Sequence, residues 1–273
     1  MVTIVPKEVF NELNKKVSEA EPKKQKFDYK DFKNTVIHYS MVNDYLKDKD
    51  IKYVGKGSGR TVYMIPKGSC IGHEDSAVCL KVANGVKGIA QNKGEVHVIE
   101  KFGGKNEPCF PELFETDKSG NISLLCELGR RIESFNELKS FFKEWNDHFF
   151  NSDFNKTLDR IGSGFPSNQL IEKDSDFFAW LSALKRVKRS GNAGKPKLKA
   201  IFDELNSIVK ENPKYESFLS LLRVMFEKDA VYEVSLGDFG DLGNWAFINR
   251  NGKDVLVPID WGLTEEVKFQ YYI

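Results

Sequence analysis

Lys81 closes the apolar run Val78-Cys79-Leu80, Glu95 follows on a charged stretch of helical character, and Asp238, Asn244 and Asp260 come late in the chain. A lysine ending an apolar strand points its ammonium toward a cleft, where it needs an anionic partner. A strand-end lysine that merely snorkels to water is the plainer alternative. Glu95, on the next helix, can hold that ammonium against the α and β phosphates of a nucleotide. Leu236-Gly237-Asp238 ends a predicted strand, Asn244 follows shortly, and Val257-Pro258-Ile259-Asp260-Trp261-Gly262 comes after a hairpin. Phosphoryl transfer needs a carboxylate at the acceptor hydroxyl and oxygen ligands for a Mg²⁺ ion that bridges the phosphates. Asp238 fits the first role, Asn244 and Asp260 the second. Each alone is an ordinary turn residue; their order, with suitable elements between them, carries the reading.

A glycine-rich turn precedes these residues. Gly55-Lys56-Gly57-Ser58-Gly59-Arg60-Thr61-Val62 lies between two predicted strands. Glycines let a backbone fold over phosphates without side-chain clash, and its amides can bond phosphate oxygens. An ordinary hairpin would explain this turn taken by itself. Its strand-turn-strand setting argues against a Rossmann or Walker loop, each of which opens a helix.

The elements that would position these groups can be read from periodicity. Pro6 with Val9, Phe10, Leu13 and Val17 predicts a first helix, and Ser40 is the expected N-cap of a second, short one reaching Leu46. Strands are predicted over 51–54, 61–65 and 77–82, a helix over 88–102, and a hairpin over 113–115 and 122–128. The middle of the chain, 130–228, is expected to be helical. It opens with the capping box Ser134-x-x-Glu137 and carries Phe135, Leu138, Phe142, Trp145 and Phe149 on one face. Three further helices follow, over Asp176 to Val187, Leu198 to Val209 and Tyr215 to Phe226. Val231 to Leu236 reads as a strand, and Trp245 to Ile248 with Val255 to Ile259 as a hairpin across Asn251-Gly252.

The bulk properties narrow the function classes. In 273 residues, 41 Lys and Arg stand against 40 Asp and Glu, so a general polyanion binder is disfavoured and a nucleic-acid role would need a local patch. A hydrophobic content of 40% with 21 Phe supports a globular core rather than a disordered chain. Cys70, Cys79, Cys109 and Cys126 form no metal-like spacing and read as buried free thiols of a reducing compartment. No segment has the length of a membrane span and Met1 to Lys15 has no apolar core, which leads to the expectation of a soluble, cytoplasmic protein.

With these residues in view, the chain resembles the protein-kinase-like superfamily. The glycine turn, strand lysine Lys81, helix glutamate Glu95, catalytic-loop pair Asp238 and Asn244, and the DFG-type triplet Asp260-Trp261-Gly262 carry the likeness. The run Gly88-Ile89-Ala90-Gln91-Asn92 through Glu95, with Gly243-Asn244-Trp245, is similar to kinases encoded by tailed bacteriophages, which would place the protein in the host cytoplasm. The likeness covers roughly residue 51 to the C-terminus.

The resemblance implies an α+β, bilobal fold. A helical extension (1–50) precedes a small lobe (51–128) of a five-stranded antiparallel sheet plus one helix, then a larger, mainly helical lobe (129–273). It implies ATP and Mg²⁺ as ligands. Gly55, Gly57, Ser58 and Gly59 would cover the phosphates held by Lys81 and Glu95. Val62 would pack on adenine, and the backbone of Glu127 and Leu128 would face it. Asp238 would orient the acceptor hydroxyl, and Asn244 and Asp260 would hold the metal. The acceptor would be protein Ser/Thr, a small molecule or the protein itself. The alternatives are a pseudokinase that binds nucleotide and a partner, and an enzyme that transfers AMP.

The sequence departs from the family pattern in several places. The third glycine falls one position early, leaving Arg60 at its usual site. Leu236-Gly237 replaces the usual His-Arg. One extra residue separates Asp238 from Asn244, which makes Asp241 an alternative base. Little chain follows Gly262, so no activation segment is expected. The helices before the catalytic loop resemble those of aminoglycoside and choline kinases. They contain a basic run, Lys185, Arg186, Lys188, Arg189, Lys195, Lys197 and Lys199, read either as a solvated surface or as a dock for an acidic partner.

Overall fold

The computed structural model describes residues 24–103, 107–145, 147, 174–236, 239 and 241–272. It is an α+β structure whose main sheet is antiparallel and five-stranded. Strands β1 (Lys52–Lys56), β2 (Arg60–Ile65) and β3 (Val78–Ala83) come first. Helix α3 (Val86–Val98) follows and ends in a π-helical turn over Ile99–Gly103, and β4 (Leu113–Thr116) and β5 (Ser123–Glu127) complete the sheet. The spatial order is β1-β2-β3-β5-β4. This β-β-β-α-β-β sequence is the one periodicity predicts for that stretch.

Alternation divides this sheet into two faces. Ile65, Val78, Leu80, Val82 and Leu125 belong to an apolar core completed by the segment before β1. That segment contributes Phe27 and Val36, which flank the short helix α1 (Tyr29–Thr35), Tyr29 and Phe32 on α1, and Val42 and Leu46 on the short helix α2 (Val42–Leu46). Asp28 caps α1 by accepting from the amides of Lys30 and Asp31. The buried Tyr29 hydroxyl donates to the Ser123 carbonyl at 3.0 Å, pinning α1 to the first residue of β5. Arg60, Val62, Cys79 and Lys81 lie on the other face, as the pairings Val62↔Lys81 and Met64↔Cys79 require.

A second core gathers the helices α4 (Phe135–Phe141), α5 (Asp174–Arg189), α6 (Lys195–Glu211) and α7 (Glu216–Phe226) with a three-stranded sheet. That sheet orders as β6 (Arg130–Arg131), β7 (Trp245–Arg250) and β8 (Lys253–Pro258). Ser134 caps α4 through the Glu137 amide while the Glu137 carboxylate reaches back to the Glu133 amide, as the capping-box spacing predicts. Helix α8 (Glu265–Tyr271) follows the Asp260 turn, with Thr264 as its N-cap. Among the described residues no helix is long and apolar enough to cross a membrane. The predicted helix over Pro6 to Val17, and Phe149, lie outside the described residues.

Two expectations are corrected. Ser40 is not an N-cap; its amide donates to the His38 ring nitrogen, and His38 caps a 3₁₀ turn over Tyr39–Met41 that leads into α2. Val231 to Leu236 is not a strand. Asp229 enters the left-handed region at φ 66°, and Ala230–Tyr232 coils into a 3₁₀ turn. Among the described residues its partner segment, Leu263 to Glu265, offers an isolated bridge at Val234↔Thr264 instead of a ladder. Val231 and Val234 are buried at a three-residue spacing, so their branched side chains serve packing and not pleating.

The glycine turn and α3 meet at backbone distance. A Cβ on Gly88 would lie 2.0 Å from the Gly59 carbonyl oxygen and 2.9 Å from Ala83 Cα, whereas one on Gly55 would meet nothing within 4 Å. Alanine ordinarily improves a helix by about 1 kcal/mol over glycine. Steric overlap should reverse that gain at position 88, so Gly88→Ala is expected to lose on the order of 1–3 kcal/mol, and Gly55→Ala to stay within about 1 kcal/mol of wild type. Urea melts of the two variants check this; equal effects would mean the turn does not rest on α3.

Candidate functional site

Four charged side chains converge between the front face of the five-stranded sheet, α3 and the turn after β8. The Glu95 carboxylate, 1% exposed, sits between two cations. Its Oε1 accepts from Lys81 Nζ at 2.5 Å and its Oε2 from the Arg60 guanidinium. Arg60 extends its other terminal nitrogen to Asp260 Oδ1, and the Lys81 ammonium also donates to the Ile259 carbonyl. Asn92, fully buried, adds an acceptor 3.4 Å from Arg60 and donates to the Asn121 carbonyl at 2.8 Å. Two cations and two carboxylates thus form one continuous network.

Each member is delivered by an identifiable element. Lys81 stands opposite Val62 in β2 and opposite Leu124 in β5, so its stem is fixed in the middle of the sheet. Glu95 lies on the face of α3 that packs on the Asp260 turn. A Cβ on Gly94 would approach the Gly262 carbonyl at 3.1 Å, and one on Gly262 the Gln91 carbonyl at 2.7 Å. Glycine on both sides permits this contact. Trp261, fully buried, anchors the turn beneath Phe110 and Phe239, with ring centroids at 4.4 and 5.3 Å. The Gly262 amide donates to Asp260 Oδ1 at 3.1 Å. The Ile259 amide donates to the Asn244 carbonyl at 2.8 Å, bringing Asn244 beside Asp260.

The electrostatics follow from this geometry. Burial pushes the Asp260 carboxyl up, but the charges of Arg60 and Lys81 and the bonds from Arg60 and Gly262 outweigh it and hold the group below the usual carboxylate range. Burial alone would depress Lys81; Glu95 reverses this and raises it. Arg60 is likewise held firmly charged by Asp260 and Glu95 against its own burial.

The structure brings Lys81, Glu95 and Asp260 together, with Val62 on the same sheet face. The glycine turn engages protein partners. Gly59 packs on α3, and Ser58 Oγ lies 3.0 Å from the Tyr272 hydroxyl, which also accepts from Gln91 Nε2 at 3.1 Å. Gly55 borders open space, and the Gly57 amide donates to the Arg60 carbonyl at 2.8 Å. Glu127 has its amide on the Glu112 carbonyl and its carboxylate on Arg250 and the Glu112 amide. Leu128, half-buried, follows it. Asp238 lies outside the described residues. Asp241 caps its own turn, accepting from the Gly243 amide at 2.7 Å, the backbone role that turn aspartates commonly fill. In the basic run, Lys185 faces Glu265 at 3.7 Å, Lys188 faces Asp229 at 2.7 Å and Lys199 faces Asp203 at 2.7 Å, so much of its charge is met within the chain. All four cysteines are free and buried, with Cys79 opposite Cys126.

Arg60 is the site residue that sequence reading missed, noted there only as a departure from a glycine pattern. A signal was present: Arg60, Val62 and Met64 alternate in one strand, so Arg60 shares the face of Val62. Among the described residues no group of three His, Cys, Asp or Glu side chains could hold a metal ion. Magnesium asks for less, one or two carboxylates with phosphate oxygens and waters. Asp260, whose Oδ1 is already paired with a guanidinium, supplies one carboxylate of the kind such a site uses. Comparison with protein-family models and with curated protein sequences finds no match.

Two outcomes test the network. Glu95→Gln strands two buried cations and is expected to cost about 3–5 kcal/mol. Adding Arg60→Met should cost clearly less than the two single losses together, because one stranded charge is gone. Strict additivity in urea melts would mean the groups do not share Glu95. The depressed Asp260 carboxyl gives a second test. Its contribution is full above the unfolded value of roughly pH 4 and drains away as pH falls through the lower folded value. The melting-temperature lead of wild type over Asp260→Asn should therefore be widest near neutrality and shrink as the solution is acidified below the unfolded value. Parallel curves would remove the charge pairing from the account.

Proposed function

We propose that the chain is an ATP- and Mg²⁺-dependent phosphotransferase of the protein-kinase-like type, acting on a hydroxyl acceptor, with protein Ser/Thr the leading candidate. In this reading the five-stranded sheet with α3 is the small lobe and the helices with the three-stranded sheet are the large one. One observation carries it. The Lys81 ammonium rests at once on the α3 carboxylate Glu95 and on the carbonyl that precedes Asp260. A lysine so placed can hold nucleotide phosphates beside a carboxylate suited to their metal.

The roles follow. Lys81 would take the α and β phosphates, with Glu95 fixing its position. Val62 would offer an apolar surface to the base, with the backbone at Glu127 and Leu128 along its edge. Asp260 and Asn244 would hold Mg²⁺, which supplies charge neutralisation on the phosphates. Asp238 would take the proton of the acceptor hydroxyl as its oxygen bonds to Pγ and ADP leaves. Asp241, occupied by its own turn, is the weaker candidate for that proton. A second reading, a module that binds nucleotide without transferring it, is favoured by Arg60 lying on Asp260.

Incubation with γ-labelled and α-labelled ATP in separate tubes, with cell lysate, separates these readings. Phosphoryl transfer places only the γ label on protein or on a small-molecule acceptor, and Lys81→Ala should reduce it by on the order of a hundredfold or more. Transfer of the α label would mean AMP transfer. No label, combined with a melting temperature raised by ATP·Mg²⁺, would mean binding alone. No shift at millimolar ATP·Mg²⁺ would sink both readings.

A further inference from the structure

Arg60 does for Asp260 what a metal ion would do: it places positive charge on the carboxylate and satisfies its Oδ1. Its side chain is 6% exposed and held at three points, by Glu95, Asn92 and Asp260. With Lys81 included, the cluster holds two cations against two carboxylates and is balanced without any ligand. A divalent cation arriving alone at Asp260 would compete with a guanidinium already there and leave surplus positive charge in a half-buried site, which low local polarity makes costly. A polyphosphate arriving alone meets two cations, and a guanidinium forks onto phosphate as readily as onto carboxylate. Arg60 stands at the first position of β2, directly after Gly57-Ser58-Gly59 and so beside the turn that would lie over such a phosphate.

We infer that Arg60 couples the two ligands of this site: it guards Asp260 until a nucleotide polyphosphate draws its guanidinium away, and so makes metal binding depend on nucleotide. This rests on the phosphotransferase reading and deepens it. Arg60 becomes a phosphate ligand in the loaded state and a cation surrogate in the empty one. Coupling of this kind is reciprocal: whatever the nucleotide adds to metal affinity, the metal adds to nucleotide affinity.

The test measures binding, not turnover. Mn²⁺ is titrated into nucleotide-free protein by calorimetry, and ATP is titrated in EDTA, for wild type, Arg60→Gln and Arg60→Lys. Melting curves for each variant establish folding first. Wild type should bind ATP in EDTA and bind Mn²⁺ alone only weakly. Arg60→Gln should bind Mn²⁺ alone about tenfold more tightly and ATP in EDTA about tenfold more weakly, within the range usual for coupled sites. Arg60→Lys, which keeps the charge but loses the fork, should fall between them. It also serves if the glutamine variant fails to fold. Unchanged Mn²⁺ and ATP affinities in a folded variant would overturn the inference and leave the phosphotransferase reading standing. Tight binding of Mn²⁺ to nucleotide-free wild type would do the same. Failure of wild type to bind ATP with or without metal would overturn that reading, and the inference with it.

Discussion

The Glu95 carboxylate, shared between Lys81 and Arg60 in the interior, is the constraint to which the rest of the structure is fitted. Taking an ion out of water costs several kcal/mol even after relaxation, and a buried ion is tolerated only with its partners in place. Three chain segments must therefore meet at one point: the front face of the sheet, one face of α3, and the turn after β8. The close approaches at Gly59 and Gly88, and at Gly94 and Gly262, bring those backbones near enough for the side chains to reach one another. Such a network adds little to net stability compared with an apolar core, but it punishes any arrangement that leaves one member unpaired.

The division of labour between the two sheet faces supports this point. The back face is packed mainly by apolar side chains. It is sealed by Phe27, Tyr29, Phe32 and the rest of the segment before β1, with aromatic rings in contact across the cluster. Burial of this kind is worth about 25 cal/mol per Å² of apolar surface, and here it holds β2, β3 and β5 rigidly from behind. The front face can then present Lys81 and Arg60 on strands that have no freedom to move away from Glu95. The turn that bears Asp260 is fixed separately, by Trp261 in the second core.

Arg60 gives the site its particular character. A glycine there would leave Asp260 as an exposed negative charge facing Lys81; the arginine closes the charge balance and ties the glycine-rich turn to both neighbouring elements. The turn is thus part of the packed structure, with Gly59 against α3 and Ser58 against Tyr272, rather than a loose flap.

Local signals determined a good deal. Period-two alternation and turn residues placed β1, β2, β3, β4 and β5 around α3. Ser134 and Glu137 marked the start of α4, and Asn251-Gly252, both at positive φ, marked the β7–β8 hairpin. Residue type and order singled out Lys81, Glu95 and Asp260 as one group, because a strand-end lysine needs an anionic partner and phosphoryl transfer needs a metal-holding carboxylate later in the chain. The misread segment, Val231 to Leu236, shows the limit of such signals. Two valines there look like a strand, yet the chain coils into a 3₁₀ turn over Ala230–Tyr232 and pairs only through an isolated bridge among the described residues. Arg60 shows a deeper limit. Its partners lie 35 and 200 residues away, and which carboxylates an arginine meets depends on how separate segments pack, not on its neighbours in the chain. Tertiary structure alone therefore decided that Asp260 is held by a guanidinium and that the sheath behind the sheet is built from residues before β1.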